Sequence, residues 1–379
     1  MRAVALIDGD HTPQVIRETL AELPYELVGV IFVGGSEKLR ANADYGVPLL
    51  EEFGAAELVL DLSDEPAAGA SARLTWAARA LAAGLPYQGA DFRFDPPLYT
   101  PLALPSVAVV GTGKRVGKTA LSVHLARLAA AERRVVAVCM GRGGPPQPEL
   151  VASPPTLAEL LARSRGGAHA ASDYLEVALL AGVPTVGCRR AGGGLAGGVV
   201  SSNVAAGAEL AATLEPELVI FDGSGAAIPP VTVDRRVLVV GPGHDFSAGL
   251  NLYRRLVCDL LVSVGCEFEG AIPARLRLVP LEPLRGRVAV FSAGPAAVSH
   301  LDAEIVHVSQ NLGNRAALAA ELALLEVDTY LTELKGAAID LVAEHALACG
   351  AAVVFAGNEV LSDDLDEALL ALVSEPVAL

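Results

Sequence analysis

Short runs of consecutive apolar residues alternate with stretches in which apolar positions recur every three or four residues, along the whole chain. In the first hundred residues, 3–7, 27–33 and 58–62 read as strands, and 14–23 and 72–83 read as helices. The segment 91–105 carries four prolines and no period, so it reads as a connection between domains. A second alternation begins at Ser106, with strands over 107–110, 135–140, 218–222, 237–240 and 259–264. Helical spacing marks 121–128, 157–163 and 173–181, the last with Ser172 as its expected N-cap. From about Pro283 a third stretch follows, with strands over 288–292, 305–308 and 352–355 and helices over 315–325 and 338–349. It reads as a small α/β domain or as an extension of the preceding sheet. Alternation of this kind predicts an α/β fold with parallel sheets that bind ligands at the carboxyl ends of their strands. The expected domains are 1–95, 106–283 and 284–379, and no internal repeat is evident.

Between the strand and the first helix of the middle alternation lies Gly111-Thr-Gly-Lys-Arg-Val-Gly-Lys-Thr119. Such a loop turns backbone N–H groups toward a polyphosphate, and the helix behind it adds the positive end of its dipole. Lys118 reaches the β- and γ-phosphates in a loop of this type, and the Thr119 hydroxyl completes a Mg²⁺ shell. Gly111, Thr112, Gly113, Lys114, Arg115, Val116, Gly117, Lys118 and Thr119 are therefore the expected ATP-binding residues. The strict G-x-x-x-x-G-K-[ST] pattern asks for glycine where Thr112 stands, and the variant present here resembles dethiobiotin synthetase and its relatives. The plain alternative is a glycine turn in which Gly-Lys-Thr arose by chance. The 106–283 region is thus expected to be a P-loop ATP-binding domain, with an α/β domain before it and a smaller one after.

The formal net charge of −16 argues against a nucleic-acid partner. No apolar run approaches the ~18 residues of a membrane span, and the acids at Asp8 and Asp10 come too early for a signal peptide. Cysteines at 139, 188, 258, 266 and 349 form no C-x-x-C pair, which fits a reduced cytoplasmic protein. The cations nevertheless gather in glycine-rich segments. Arg142 lies in Gly141-Arg-Gly-Gly-Pro145, and Arg189 and Arg190 open Cys188-Arg-Arg-Ala-Gly-Gly-Gly194. Guanidinium groups among flexible glycines suit a phosphate or carboxylate, so Arg142, Gly143, Arg189 and Arg190 are expected to bind a small anionic substrate from two loops. Ordinary solvated surface arginines are the alternative.

Asp222 ends an apolar strand ahead of Gly223-Ser224-Gly225, where an acid serves Mg²⁺ and glycine admits a phosphate. A turn-capping Asp would look the same. Asp222 and Thr119 are the expected metal ligands, and Gly223 and Ser224 the expected substrate contacts. Asp8-Gly-Asp-His11 ends the first strand, so Asp8 and His11 are further substrate-binding candidates beside the reading of an Asx turn. His244 and His307 read as structural histidines, and Asn311, Asn314 and Arg315 as weaker base or substrate contacts.

Taken together, these motifs resemble one family closely, cyclic 2,3-diphosphoglycerate synthetase. The resemblance rests on Ala5-Leu-Ile-Asp-Gly-Asp-His11, Gly111-Thr-Gly-Lys-Arg-Val-Gly-Lys-Thr-Ala120, Met140-Gly-Arg-Gly-Gly-Pro145, Cys188-Arg-Arg-Ala-Gly-Gly-Gly194 and Phe221-Asp-Gly-Ser-Gly-Ala-Ala-Ile-Pro-Pro230, in family order. Asp222 stands where the family pattern leads one to expect Glu. The resemblance implies a ligase that uses ATP and Mg²⁺, with K⁺ a further candidate cofactor, to close 2,3-diphosphoglycerate into an intramolecular phosphoanhydride. It implies Lys118, Lys114, Arg115 and Asp222 as the catalytic set, and a homodimer as the expected assembly. Two other classes stay open from the residues alone: a dethiobiotin-type ligase acting on a small carboxylate, and a nucleotide-gated switch ATPase. The arginine-rich segments speak against the first, and Gly113 with scattered cysteines against the second.

Overall fold

The structure, a computed structural model, describes residues 1–35, 43–247 and 249–374. Its contacts divide the chain into two units, Met1–Leu98 with Asp245–Val257, and Tyr99–His244 with Cys258–Leu379. No helix among the described residues is long and apolar enough to cross a membrane.

The first unit holds a five-stranded sheet in the order Glu26–Gly34, Arg2–Asp8, Leu58–Asp61, Tyr87–Gln88, Arg93–Phe94. The first four strands run parallel and the last antiparallel. Residues Ala3 to Ile7 are buried without alternation, as a parallel central strand covered on both faces requires. Helix Pro13–Glu22 starts on a proline, whose missing N–H costs nothing at that position, and buries Ile16 and Leu20 one turn apart. The short segment Asp245–Val257, expected within the middle domain, instead contributes helix Asn251–Leu256 to this unit, where it packs on helix Ala70–Ala82.

The second unit is built on one 13-stranded sheet. At its centre Ser106–Gly111 runs parallel between Leu218–Asp222 and Arg235–Val240, and all three are rich in buried Val, Ile and Leu. Val135–Gly141 and Thr185–Ala191 extend it on one side, Leu260–Val264 and Ile272–Pro280 on the other. Then the polarity reverses: Ala352–Leu361 pairs antiparallel with Ile272–Pro280. Thr329–Glu333, Arg287–Phe291 and Glu304–Ser309 continue parallel to that return strand. Residues 284–374 therefore extend the P-loop sheet. Ile272–Pro280 overhangs the first block, pairing with the end of Leu260–Val264 only through Ile272, Pro273 and Ala274, and Ala352–Leu361 overhangs the second, pairing with Thr329–Glu333 only through its first half. The two overhangs form the antiparallel pair, so the carboxyl ends of the two blocks face each other across it.

Helix Lys118–Ala130 follows the central strand and buries Leu121, Leu125 and Ala129 at four-residue spacing. Helix Leu365–Ser374 packs on it, with Asp366 Oδ1 2.6 Å from His124 Nε2 and Arg133 Nη1 donating to Val373 O at 2.7 Å.

Several expectations need correction. Thr185–Ala191 is a strand, so Arg189 and Arg190 lie on it and not in a loop; its last residues pair with Ser201–Ser202 across the glycine turn. Ser172 holds the N-cap position of helix Asp173–Ala181 and its carbonyl accepts from the Leu175 and Glu176 amides, but its side chain makes no cap bond. The helix expected over 338–349 divides into a wide π turn, Ala338–Ala343, and a short α-helix, Glu344–Ala348. Strands Ile272–Pro280 and Thr329–Glu333 and helix Val204–Ala212 carried no clear signal, the first flanked by prolines and the second mixing Thr and Glu into a fully buried strand.

Candidate active site

The converging strand ends enclose a cavity of about 630 Å³ lined by the second unit. One wall is the loop from Gly113 to Gly117 with the first turn of the helix behind it. Thr112, in the position of the missing glycine, donates its amide to Val239 O at 3.0 Å and so fastens the start of the loop to the neighbouring strand. Gly113 lies under the His244 ring, which a Cβ there would meet at 2.3 Å and have to displace. Gly117 sits at φ +89°, a conformation that favours glycine, and hands the chain to the helix. Among the described residues, the amides of Gly113, Lys114, Arg115, Val116 and Gly117 donate to no protein acceptor. Unspent donors around a helix N-terminus form a phosphate cradle.

Lys118 is buried, with Nζ 3.3 Å from Asp222 Oδ1, and the Ser122 hydroxyl donates to the same oxygen at 2.9 Å. The other oxygen, Asp222 Oδ2, is buried without a partner. Burial pushes the Asp222 carboxyl above its ordinary range, and Asp173 adds to the push while Lys118 opposes it. A carboxylate oxygen kept from water with nothing to accept from is a costly arrangement that a cation would relieve. Thr119 lines the same cavity. Among the described residues no cluster of three or more His, Cys, Asp or Glu forms a metal cage. The Asp222 carboxylate and the Thr119 hydroxyl are oxygen donors of the kind that Mg²⁺ ordinarily completes with phosphate and water.

Arg142 and Gly143 form the turn after Val135–Gly141 and line the cavity. That turn is pressed on the neighbouring strand: Arg189 Nε donates to Gly144 O at 2.6 Å, and a Cβ on Gly144 would stand 1.9 Å from Cys188 O. Arg190 is buried and donates to Ser224 O at 2.9 Å and to Gly192 O. Arg189 and Arg190 thus brace the cavity wall formed by Arg142, Gly143 and Ser224. Burial, with Arg142 nearby, holds the Arg190 guanidinium below its usual value. Gly223 fits because its position faces Ala227 O and Val109 O at about 3 Å. Asp8 lies in the first unit, where its carboxylate accepts from the amides of Asp10 and Asp64 at 3.0 Å, an Asx-type turn; His11 is exposed in the same unit.

The opposite wall comes from the reversed block, and no motif announced it. Glu333, at the end of its strand, accepts from the Ala293 amide and the Asn358 side chain, each at 2.6 Å. Lys335 Nζ lies 3.1 Å from Glu176 and 3.4 Å from Glu333. Asp173 joins from the start of its helix. Arg115 reaches toward this wall, since a Cβ at Gly313 would meet its Nη2 at 3.4 Å. The signal available in the sequence was weak but of a familiar kind: Ser292-Ala-Gly294-Pro and Glu333-Leu-Lys335-Gly336 each follow a strand, as Asp222-Gly-Ser-Gly does.

A phosphate cradle between a central strand and its helix, a buried lysine on a strand-end acid, and a cavity at the carboxyl ends of a parallel sheet define a P-loop nucleotide-binding enzyme. The chain belongs to the cyclic 2,3-diphosphoglycerate synthetase family. Models of that synthetase's P-loop, C-terminal and N-terminal domains match residues 106–277, 289–359, and 2–55 with 49–95. The cyclic 2,3-diphosphoglycerate synthetase of Rubrobacter xylanophilus is 44% identical over 98% of this chain and 97% of its own length. That of Thermococcus gammatolerans is 37% identical over 97% and 96%. That of Methanothermobacter thermautotrophicus is 34% identical over 99% and 96%. Among solved structures, LpxK from Aquifex aeolicus in complex with ATP aligns with a TM-score of 0.47 and 17% identity, over 73% of this chain and 91% of that one.

Proposed function

We propose that the chain closes 2,3-diphosphoglycerate to its cyclic form at the expense of ATP, releasing ADP and inorganic phosphate. The observation that carries this reading is the gathering of Lys114, Arg115, Lys118, Arg142 and Lys335 around one cavity. A strongly acidic protein concentrates cations this way where two polyanions must meet. The volume is in the range of small-molecule sites.

The reaction divides into two displacements. An oxygen of one substrate phosphate bonds to the γ-phosphorus as the bond from that phosphorus to the bridging oxygen of ADP breaks. An oxygen of the neighbouring phosphate then attacks the substrate phosphorus just activated. Inorganic phosphate leaves with the bonding electrons, and the P–O–P ring closes. Both nucleophiles are phosphate oxygens already ionised near neutral pH, so the site needs no strong base. Its work is to hold the groups in line and to balance charge. Lys118 and the loop amides face the nucleotide phosphates, with Lys114 and Arg115 beside them. Arg142 approaches the acceptor from a turn that Arg189 holds in place. Thr119 and Asp222 would hold Mg²⁺, which supplies positive charge beside the β- and γ-phosphates when bound.

Phosphorus NMR of the pure protein with ATP, Mg²⁺, K⁺ and 2,3-diphosphoglycerate tests the reading. The expected spectrum gains the cyclic pyrophosphate together with ADP and inorganic phosphate in equal amounts. Hydrolysis of ATP with diphosphoglycerate untouched would overturn it and favour a ligase of another acid or a switch ATPase.

Gly144→Ala tests the bracing of the Arg142 turn. The added methyl meets a backbone carbonyl that cannot move aside, so the turn must shift. Overpacking of this kind costs about 1–3 kcal/mol. The expected outcome is a lower melting temperature and a KM for diphosphoglycerate raised roughly tenfold, with a smaller change for ATP.

A further inference from the structure

Lys335 is the one cation that the reversed block contributes to the cavity among the described residues. It follows a strand end, the place where parallel sheets present groups to ligands. About a third of its side chain is exposed, while Glu176 and Glu333 on either side are almost fully buried. Its loop is also fixed: Gly336 at φ +54° has no room for a Cβ, which would lie 2.2 Å from Leu312 O, and the Ala337 amide donates to that carbonyl at 2.9 Å. Glu333 is spoken for by the Ala293 amide and Asn358. Glu176 is not, because its second oxygen is buried without a partner. An ammonium held between two carboxylates by so much structure is over-determined for stability alone, since buried ion pairs seldom exceed the cost of dehydrating them.

We infer that Lys335 anchors an anionic group of the acceptor, a phosphate or carboxylate of the small polyanion, with Glu176, Glu333 and Asn358 as the residues that position it. The inference rests on the cyclase reading. It places the donor's phosphates on the P-loop wall and the acceptor's anchor on the opposite wall, so that the two halves of the reaction meet between the two sets of strand ends.

The charges around the ammonium set a condition on binding. Burial pushes the Glu176 carboxyl up to about 7, with Glu333 and Asp173 adding to the push and Lys335 opposing it. Burial also works to raise Glu333, but Lys335, the Ala293 amide and Asn358 outweigh it, so that carboxyl stays below its ordinary value. Below about pH 7, then, one carboxylate balances one ammonium. Above it a second negative charge competes with an incoming anion for Lys335. Anion binding therefore favours the protonated form of Glu176 and takes up a proton as pH rises through that range.

Steady-state kinetics of Lys335→Ala and Lys335→Arg, with calorimetric binding of diphosphoglycerate alone, test the inference. Losing one charge-assisted contact is expected to raise KM and Kd for diphosphoglycerate roughly ten- to a hundredfold, with the KM for ATP near its original value and partial recovery in the Arg variant. If Lys335→Ala does not fold, the charge-neutral Glu176→Gln/Lys335→Gln pair reports the same loss. In Glu176→Gln the KM for diphosphoglycerate should keep only the pH dependence of the substrate's own phosphates. Unchanged constants in these variants, or an equal fall in affinity for ATP, would overturn the inference while leaving the cyclase reading intact. Diphosphoglycerate bound through Lys335 but never cyclised would do the reverse.

Discussion

Lys118→Ala is expected to lower turnover by two to three orders of magnitude while the protein stays folded. The lysine sits where charge accumulates on the transferring phosphoryl group, and losing one donor of that kind costs roughly 10²–10³ in rate. Removing one partner of a buried pair ordinarily costs about 3–5 kcal/mol in stability. Here burial already pushes the Asp222 carboxyl up and Lys118 opposes that push, so the loss of the lysine lets burial and Asp173 act on it unopposed. Near-normal turnover in a variant with an unaltered circular dichroism spectrum would remove the P-loop assignment.

Asp222→Asn is the second large effect. The amide can keep an oxygen toward Lys118 and Ser122, so the local hydrogen bonds at 3.3 and 2.9 Å survive in part. What goes is the negative charge and the second, partnerless oxygen. Turnover should fall by about tenfold or more, and the Mg²⁺ concentration for half-maximal rate should rise, while Kd for diphosphoglycerate moves little. A Mg²⁺ titration that superimposes on that of the unaltered protein would return Asp222 to the role of a turn cap.

The donor wall was legible in the sequence because its chemistry is local. Nine consecutive residues carry the cradle, and a strand before and a helix after fix how they fold. Asp222 was legible for a similar reason, an acid at the end of an apolar run. The acceptor wall was not. Glu176, Lys335 and Asn358 are separated by long stretches of chain and meet only because the sheet reverses. The strand that carries Glu333 is wholly buried yet mixes Thr, Tyr and Glu with a single Leu, so no apolar run betrays it. Arg189 and Arg190 misled in the opposite direction. Glycines after them suggested a loop, but the preceding Thr185 to Cys188 pairs with Val135–Gly141 and draws both arginines into the strand, where they brace the wall.

The antiparallel pairing of Ile272–Pro280 with Ala352–Leu361 also works as a ruler. Leu278 stands opposite Asn358 and Leu276 opposite Val360, and these rungs fix how far the loops of one block sit from the cradle of the other. A slip of one residue would move the far block by about 3.4 Å and turn every side chain of the slipped strand to the wrong face. Phosphoryl transfer tolerates errors of only about 0.5 Å. An inserted or deleted residue in either strand would therefore be ruinous, whereas the same change in a surface loop would pass almost unnoticed.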